Sequence, residues 1–231
     1  MFLTDLLFPK FCLGCGYIGV YICLSCQNKL RPINQDVCLY CKKPSLFGLT
    51  HLDCNNKLNI DGFLALYHYN PVLKKILKNI KYRLAVQVWQ EFGQIIKPEE
   101  INKLDFYKRL YTDFIIQPIP LTKNKYNERG FNQAKIISVF FQQLLNFPIV
   151  NLLIRKKETQ PQAQSKSLLS RYLNLKGAFV INLNCRGVIN HASNIILVDD
   201  IVTSGSTVKE AARVLKEAGA KKVYVLALAK G

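Results

Sequence analysis

Residues Ile195 to Thr207, I-I-L-V-D-D-I-V-T-S-G-S-T, constrain the fold of this chain more than any other stretch. Four apolar, mostly branched residues (Ile195 to Val198) predict a buried strand of the kind found inside parallel sheets. Two adjacent carboxylates, Asp199 and Asp200, cap its end, and a small hydroxyl and glycine loop leads into a helical pattern over 208–218. A parallel strand delivers its groups to the crevice at its carboxyl end, where open α/β sheets bind ligands. Paired carboxylates there can accept hydrogen bonds from two vicinal hydroxyls, as a ribose presents them. Gly205 lets the backbone approach an anion, and the N–H groups of residues 204–208 at the positive end of a helix can cradle a monophosphate. The candidate site is therefore Asp199, Asp200, Ile201, Val202, Thr203, Ser204, Gly205, Ser206 and Thr207. The G-x-x-x-x-G-K-[ST] spacing of a P-loop is absent. An ordinary strand-to-helix turn with an N-cap would satisfy the backbone equally well, but it needs neither two carboxylates nor four hydroxyls.

Seven of the eight cysteines fall in the first 54 residues, a composition shift that marks a separate segment. They are paired: Cys12-x-x-Cys15, Cys23-x-x-Cys26, Cys38-x-x-Cys41 and then His51-x-x-Cys54. Thiolates two residues apart bind one tetrahedral metal through a tight knuckle, and a structural zinc site takes two such pairs. Sequential pairing gives one zinc to Cys12, Cys15, Cys23 and Cys26 and a second to Cys38, Cys41, His51 and Cys54; a single-zinc arrangement and a disulfide framework stay open. A segment this short has little core, so the metal supplies folding energy rather than catalysis. Cys185 stands alone as an ordinary thiol.

At 231 residues and 49% hydrophobic, the chain can bury a full core. No apolar run reaches the roughly 18 residues of a membrane span, and the start lacks the basic region of a signal peptide, so a cytosolic protein is expected. With 32 Lys+Arg against 15 Asp+Glu, the net charge of +17 points to acidic partners. Strands are predicted near 62–69, 113–118, 149–154 or 178–183, 195–198 and 222–228, with helices near 71–97, 131–146 and 207–218. This alternation specifies a parallel α/β sheet flanked by helices. The helix from Pro71 buries Val72, Leu73, Ile76, Leu77 and Ile80 and carries Lys74, Lys75, Lys78 and Lys81 on its other face. That face is either solvated cover or a stripe for phosphate backbones. Pro118 and Pro120 force a sharply turned loop after the second strand. Residues 153–179 are polar and poorly periodic, and read as a loop over a site or as inert surface.

The 195–207 segment resembles the phosphoribosyl pyrophosphate (PRPP) motif of type I phosphoribosyltransferases, and the rest of the chain resembles the ComF competence-protein family of that fold. Its most specific signature is matched by R-G-F-N-Q, Arg129 to Gln133. The resemblance implies a double zinc ribbon over 1–57 and a phosphoribosyltransferase-like unit over 58–231. It implies PRPP with Mg as ligand, a ribose held by Asp199 and Asp200, and a phosphate addressed by Arg129. The short loop of Pro120, Leu121, Thr122 and Lys123 would meet pyrophosphate, with Lys123 and Lys125 as candidate charges and Phe131 and Asn132 facing a base. A hood would carry Arg155, Lys156, Thr159, Gln162 and Arg171, closing over PRPP to exclude water. ComF proteins usually carry cysteine where this chain has His51, and histidine can also ligate zinc. The implied role is natural transformation, handling incoming single-stranded DNA beside a helicase of the same system. A non-catalytic zinc-ribbon adaptor and a nucleotide-salvage enzyme are the alternatives.

Overall fold

The computed structural model describes residues 9–80, 85–96, 98–110, 113–157, 175–191 and 194–231. Four strands run parallel: β2 (Gly62–His68), β3 (Phe114–Pro118), β6 (Asn194–Val202) and β7 (Lys222–Lys230). A two-residue strand, β1 (Arg31–Pro32), pairs antiparallel with β2, and the sheet order is β1-β2-β7-β6-β3. Each long strand is apolar nearly throughout because helices or loops cover both faces. Alternate residues feed two separate cores. Leu64, Leu66, Phe114, Ile116, Ile196, Val198, Tyr224 and Leu226 face one side. Phe63, Ala65, Ile115, Ile195, Leu197, Val223 and Val225 face the other.

The first face is covered by α2 (Pro71–Asn79), α3 (Ala85–Ile95), α4 (Pro98–Leu110) and α6 (Gln133–Leu145). On α2, Leu73, Ile76 and Leu77 are buried while Lys74, Lys75 and Lys78 are exposed, as the periodicity requires. Asn70 caps its first turn by accepting from Leu73 N at 2.9 Å, and Pro71 at the first position needs no donor. The second face is covered by α8 (Ser206–Glu217), by the short α7 (Arg186–His191) and by a separate antiparallel pair, β4 (Leu153–Arg155) with β5 (Phe179–Ile181). Two short helices complete the chain order: α1 (Leu24–Gln27), and α5 (Lys123–Arg129) between β3 and α6.

Four expectations change. The helix expected over 71–97 is interrupted: α2 ends at an extended Ile80 and α3 restarts at Ala85. α4 lies where no helix was expected. The stretches 149–154 and 178–183 do not enter the parallel sheet. The buried Gln117 side chain captures Leu152 N and Leu153 N through Oε1, the latter at 3.2 Å, so β4 is drawn off to pair with β5. Only Ile149 bridges Ile116 in parallel sense. Finally, β6 continues past the carboxylates, with Asp199 in register with Ala227 and Ile201 with Ala229, so the acidic pair sits within the strand's last turns rather than beyond its end.

The N-terminal segment straddles the sheet. Cys12, Tyr21, Ile22, Cys23, Cys26 and Leu30 join the first core, whereas Ile33 and Leu39 join the second. The chain crosses between faces at β1, the sheet's edge.

Candidate functional site

Local chemistry builds the anion loop. After β6, Gly205 adopts a left-handed conformation (φ 76°) and serves as N-cap of α8, so the orphan N–H groups of the first turn point outward. Ser204 Oγ and Ser206 Oγ lie 2.9 Å apart, and Ser206 N donates to Ser204 Oγ at 3.4 Å. A small recess behind the loop is lined by Asp199, Thr203, Gly205, Ser206 and Thr207.

That recess adjoins a cavity of about 440 Å³ at the carboxyl edge of the sheet. Its walls come from every parallel strand end but β7: Tyr69 after β2, Ile119 and Leu121 after β3, and Asp199, Asp200 and Thr203 from β6. Arg129, Asn132 and Gln133 enter from the α5–α6 junction, Lys125 from α5, and Arg155 from the end of β4. Cationic and hydroxyl groups thus face a carboxylate pair across one space, an arrangement suited to a phosphorylated, hydroxyl-bearing ligand.

Asp199 is held well above the usual carboxylate range by burial first and by the neighbouring Asp200 charge second; the Arg155 guanidinium opposes both. Asp200 N donates to Asp199 Oδ1 at 3.0 Å, and Ile201 N to Asp200 Oδ1 at 2.8 Å. Burial lowers the Arg155 pKa while Asp199 restrains the fall, and the guanidinium stacks over Phe179 at 5.5 Å. Tyr69 is raised by burial and by Asp200, which places its hydroxyl within the same field. Two like charges side by side with arginine opposite form a pair that a divalent cation or ribose hydroxyls would relieve.

Sequence reasoning assigned the loop region differently in detail. Thr122 is buried and spends its hydroxyl capping α5, accepting from Lys125 N at 3.5 Å. Leu121 lines the cavity; Pro120 and Lys123 do not. Arg129 reaches the cavity from the last turn of α5, with Nη1 donating to Gln133 Oε1 at 2.7 Å, and Gly130 (φ 74°) closes that helix. Phe131 does not face a base: it is buried in the first core. Asn132 caps α6 by accepting from Ala134 N (3.0 Å) and donates to Ile119 O (2.9 Å). Arg155 lines the cavity and Lys156 is exposed, whereas Thr159, Gln162 and Arg171 lie outside the described residues. Tyr69, Ile119 and Gln133 were missed; Tyr69 was findable, as the first aromatic after a parallel strand's carboxyl end.

The cysteine pairs converge as two groups, Cys12, Cys15, Cys23, Cys26 and Cys38, Cys41, His51, Cys54, each with its ligand atoms within 4.8 Å of one another. With zinc–sulfur bonds of about 2.3 Å, a tetrahedral ion needs sulfur atoms nearly 4 Å apart, so both groups fit. In the first, Cys15 Sγ and Cys23 Sγ are 3.5 Å apart. Burial opposes ionisation of Cys12, but N–H groups of Cys23, Cys15 and Gly14 outweigh it and hold the thiol down at about 6. In the second, burial of Cys38 is outweighed by N–H groups of Cys41, His51 and Tyr40, leaving it at about 7. His51 Nε2 lies 3.0 Å from Pro44 O, which fixes that nitrogen as the donor and turns the Nδ1 lone pair toward Cys41 Sγ at 3.2 Å. A backbone carbonyl behind a ligating imidazole is the usual second support of a zinc histidine. His51 therefore suits the second group.

Residues 3–56 match the double zinc ribbon domain and residues 129–231 the phosphoribosyl transferase domain. Competence protein ComFC of Bacillus subtilis is 29% identical over 210 residues, covering 86% of this chain and 79% of that protein. The chain is thus similar over most of its length to a protein named for competence. Competence protein F of Haemophilus influenzae is 23% identical over 213 residues, 90% of each chain. The DNA utilization protein YhgH of Escherichia coli K12 is 25% identical over 220 residues, 94% of this chain and 92% of that one. The phosphoribosyl transferase match begins at Arg129, so this chain supplies β2 and β3, two of the four parallel strands, from sequence ahead of it. No described helix is long and apolar enough to cross a membrane.

Proposed function

We propose that this chain binds PRPP with Mg at the carboxyl edge of its sheet and acts in the cytoplasm during natural transformation, handling incoming single-stranded DNA with a helicase as partner. One observation carries the reading: Asp199, Asp200, Thr203 and Thr207 line one cavity with Arg129 and Arg155. The competence and DNA-utilization names of its relatives and the net charge of +17 supply the biological direction.

In this reading, Thr203 to Thr207 and the first amides of α8 hold the 5-phosphate. Asp199 and Asp200 accept the two ribose hydroxyls, with burial and the neighbouring carboxylate raising Asp199 toward its protonated form. Arg129, Arg155 and Lys125 face the pyrophosphate. Magnesium carried in with PRPP beside the Asp199–Asp200 pair would supply positive charge at the pyrophosphate. Tyr69, Ile119 and Leu121 form the apolar wall that keeps water from C1 of the ribose. The zinc ribbon over 1–57 folds around its metal and leaves the chemistry to 58–231.

Calorimetric titration of the zinc-loaded protein with PRPP and Mg tests the proposal, with the double change Asp199→Asn/Asp200→Asn as control. Saturable binding that the control abolishes is expected. Absence of binding in the parent protein would overturn the reading in favour of a DNA or protein adaptor.

A further inference from the structure

The second cysteine group lies against the anion loop itself. Leu39, between ligands Cys38 and Cys41, is 1% exposed, and its Cδ1 and Cδ2 stand 3.2 and 3.3 Å from where a Cβ on Gly205 would be. Any other residue at 205 would crowd Leu39 as well as strain the left-handed turn. The next residue, Tyr40, lies beneath the first turn of α8: Lys209 Nζ sits 4.6 Å over its ring, and its hydroxyl accepts from Ile60 N at 2.9 Å. Cys38 and Cys41 bracket both contacts. Their turn is tight: Lys42 N donates to Cys38 O and Cys38 N to Lys43 O, each at 3.0 Å, with Lys42 forced to φ 63°.

We infer that the second metal knuckle is a positioning element for the phosphate-binding loop, acting through Leu39, so that occupancy of this one metal site sets the loop's order and its affinity for anions. The donors of the loop are backbone amides, whose aim depends on the conformation at Gly205. On its outer side that residue leans on Leu39. A metal joining Cys38 to Cys41 fixes the two-residue span that carries Leu39 and Tyr40; without it, a strained turn loses its constraint and the loop loses its backing. Among the described residues, the first group shows no such path. Its knuckle packs on the opposite face: Asn79 Nδ2 donates to Leu13 O at 2.9 Å, and Tyr21 N and Ile22 N donate to Glu91 Oε2 at 2.8 and 3.2 Å. Leu13 occupies the knuckle position equivalent to Leu39 and is packed on the first core. Linkage is reciprocal, so an anion in the loop should also hold the second metal more firmly.

The affinity half rests on the function proposed above; the loop-order half does not. The test is amide hydrogen exchange of residues 203–209 in the full zinc-loaded chain, comparing Leu39→Ala with Leu13→Ala, and PRPP titration of the same proteins. Leu39→Ala should retain both metals yet exchange the loop roughly tenfold faster and bind PRPP correspondingly more weakly, while Leu13→Ala leaves the loop within about twofold. Leu39→Met should restore slow exchange. If Leu39→Ala fails to fold, Leu39→Val carries the same comparison with a smaller truncation. Unchanged loop exchange in Leu39→Ala and Leu39→Val, or equal acceleration in Leu13→Ala, overturns the inference. Failure of the parent protein to bind PRPP sinks the functional reading but leaves the exchange comparison decisive.

Discussion

The two cysteine groups share one chemistry and differ in everything around it. Cys12, Cys15, Cys23 and Cys26 sit on the helical face of the sheet, against Ile76 of α2 and the carboxylate of Glu91 on α3. Cys38, Cys41, His51 and Cys54 serve the opposite face, where Leu39 enters the core formed with α8. Ligand spacing therefore specifies that a metal is held, and the residues between the ligands specify what the metal steadies. Identical C-x-x-C spacing gives a clamp on a helix layer in one case and a prop behind a ligand loop in the other.

The largest effect should come from removing ligands. Cys12→Ser and Cys38→Ser are each expected to lose one of two zincs, measured by metal analysis, and to destabilise the fold by several kcal/mol, about the cost of losing a structural site. Loss of both zincs in either variant would merge the two groups into one cooperative unit and break the comparison. Next come the glycines. A Cβ on Gly14 would stand 2.6 Å from Cys26 Sγ, so Gly14→Ala should weaken zinc in the first group; Gly205→Ala should instead disturb Leu39 and the loop. A cost of about 1–3 kcal/mol is expected for each, read from thermal unfolding, with the first zinc weakened only in Gly14→Ala.

A smaller effect of opposite sign belongs to the site. Because Asp199 has a raised pKa when folded, the stability it contributes is full below the ordinary carboxylate value and is lost as pH rises through the raised one. Asp199→Asn stays neutral throughout, so it should raise the melting temperature at neutral pH, by about 1 kcal/mol in stability, and the advantage should vanish at low pH. A pH-independent difference would contradict the assignment. Smallest is Lys209→Met, which removes the cation over Tyr40 for about 0.5–1 kcal/mol and should slightly loosen only the second knuckle, read as faster chelator extraction of one zinc.

Much of this was legible in residue order. The apolar runs of β2, β3, β6 and β7 announced a parallel sheet, and D-D followed by T-S-G-S-T announced its loop. The cysteine spacing predicted both ligand groups, including the substitution of His51. Other features depend on partners distant in the chain. α4 was hidden because E-E-I-N-K-L-D-F-Y-K-R-L offers only a narrow buried stripe, Leu104 and Tyr107 among charges. α5 was concealed by the proline pair before it, although Thr122 and Gly130 are ordinary cap residues. The R-G-F-N-Q resemblance places Phe131 at a base, yet its ring is buried in the first core. That the cysteine groups occupy opposite faces follows from the pairing of Arg31 with His68 and Pro32 with Tyr67, which no local pattern encodes.

That two-residue pairing has a consequence for the protein's solubility. Beyond the Leu49–Gly62 bridge at its start, β2 would otherwise end the sheet as an apolar edge, a template for edge-to-edge association with another chain. β1 covers the end of it with a strand too short to propagate, and Pro32 withholds a donor from any newcomer. The cover is tethered on both sides by metal-folded knuckles. A shortage of zinc should thus be felt as stickiness, with stripped chains gathering along an uncovered edge.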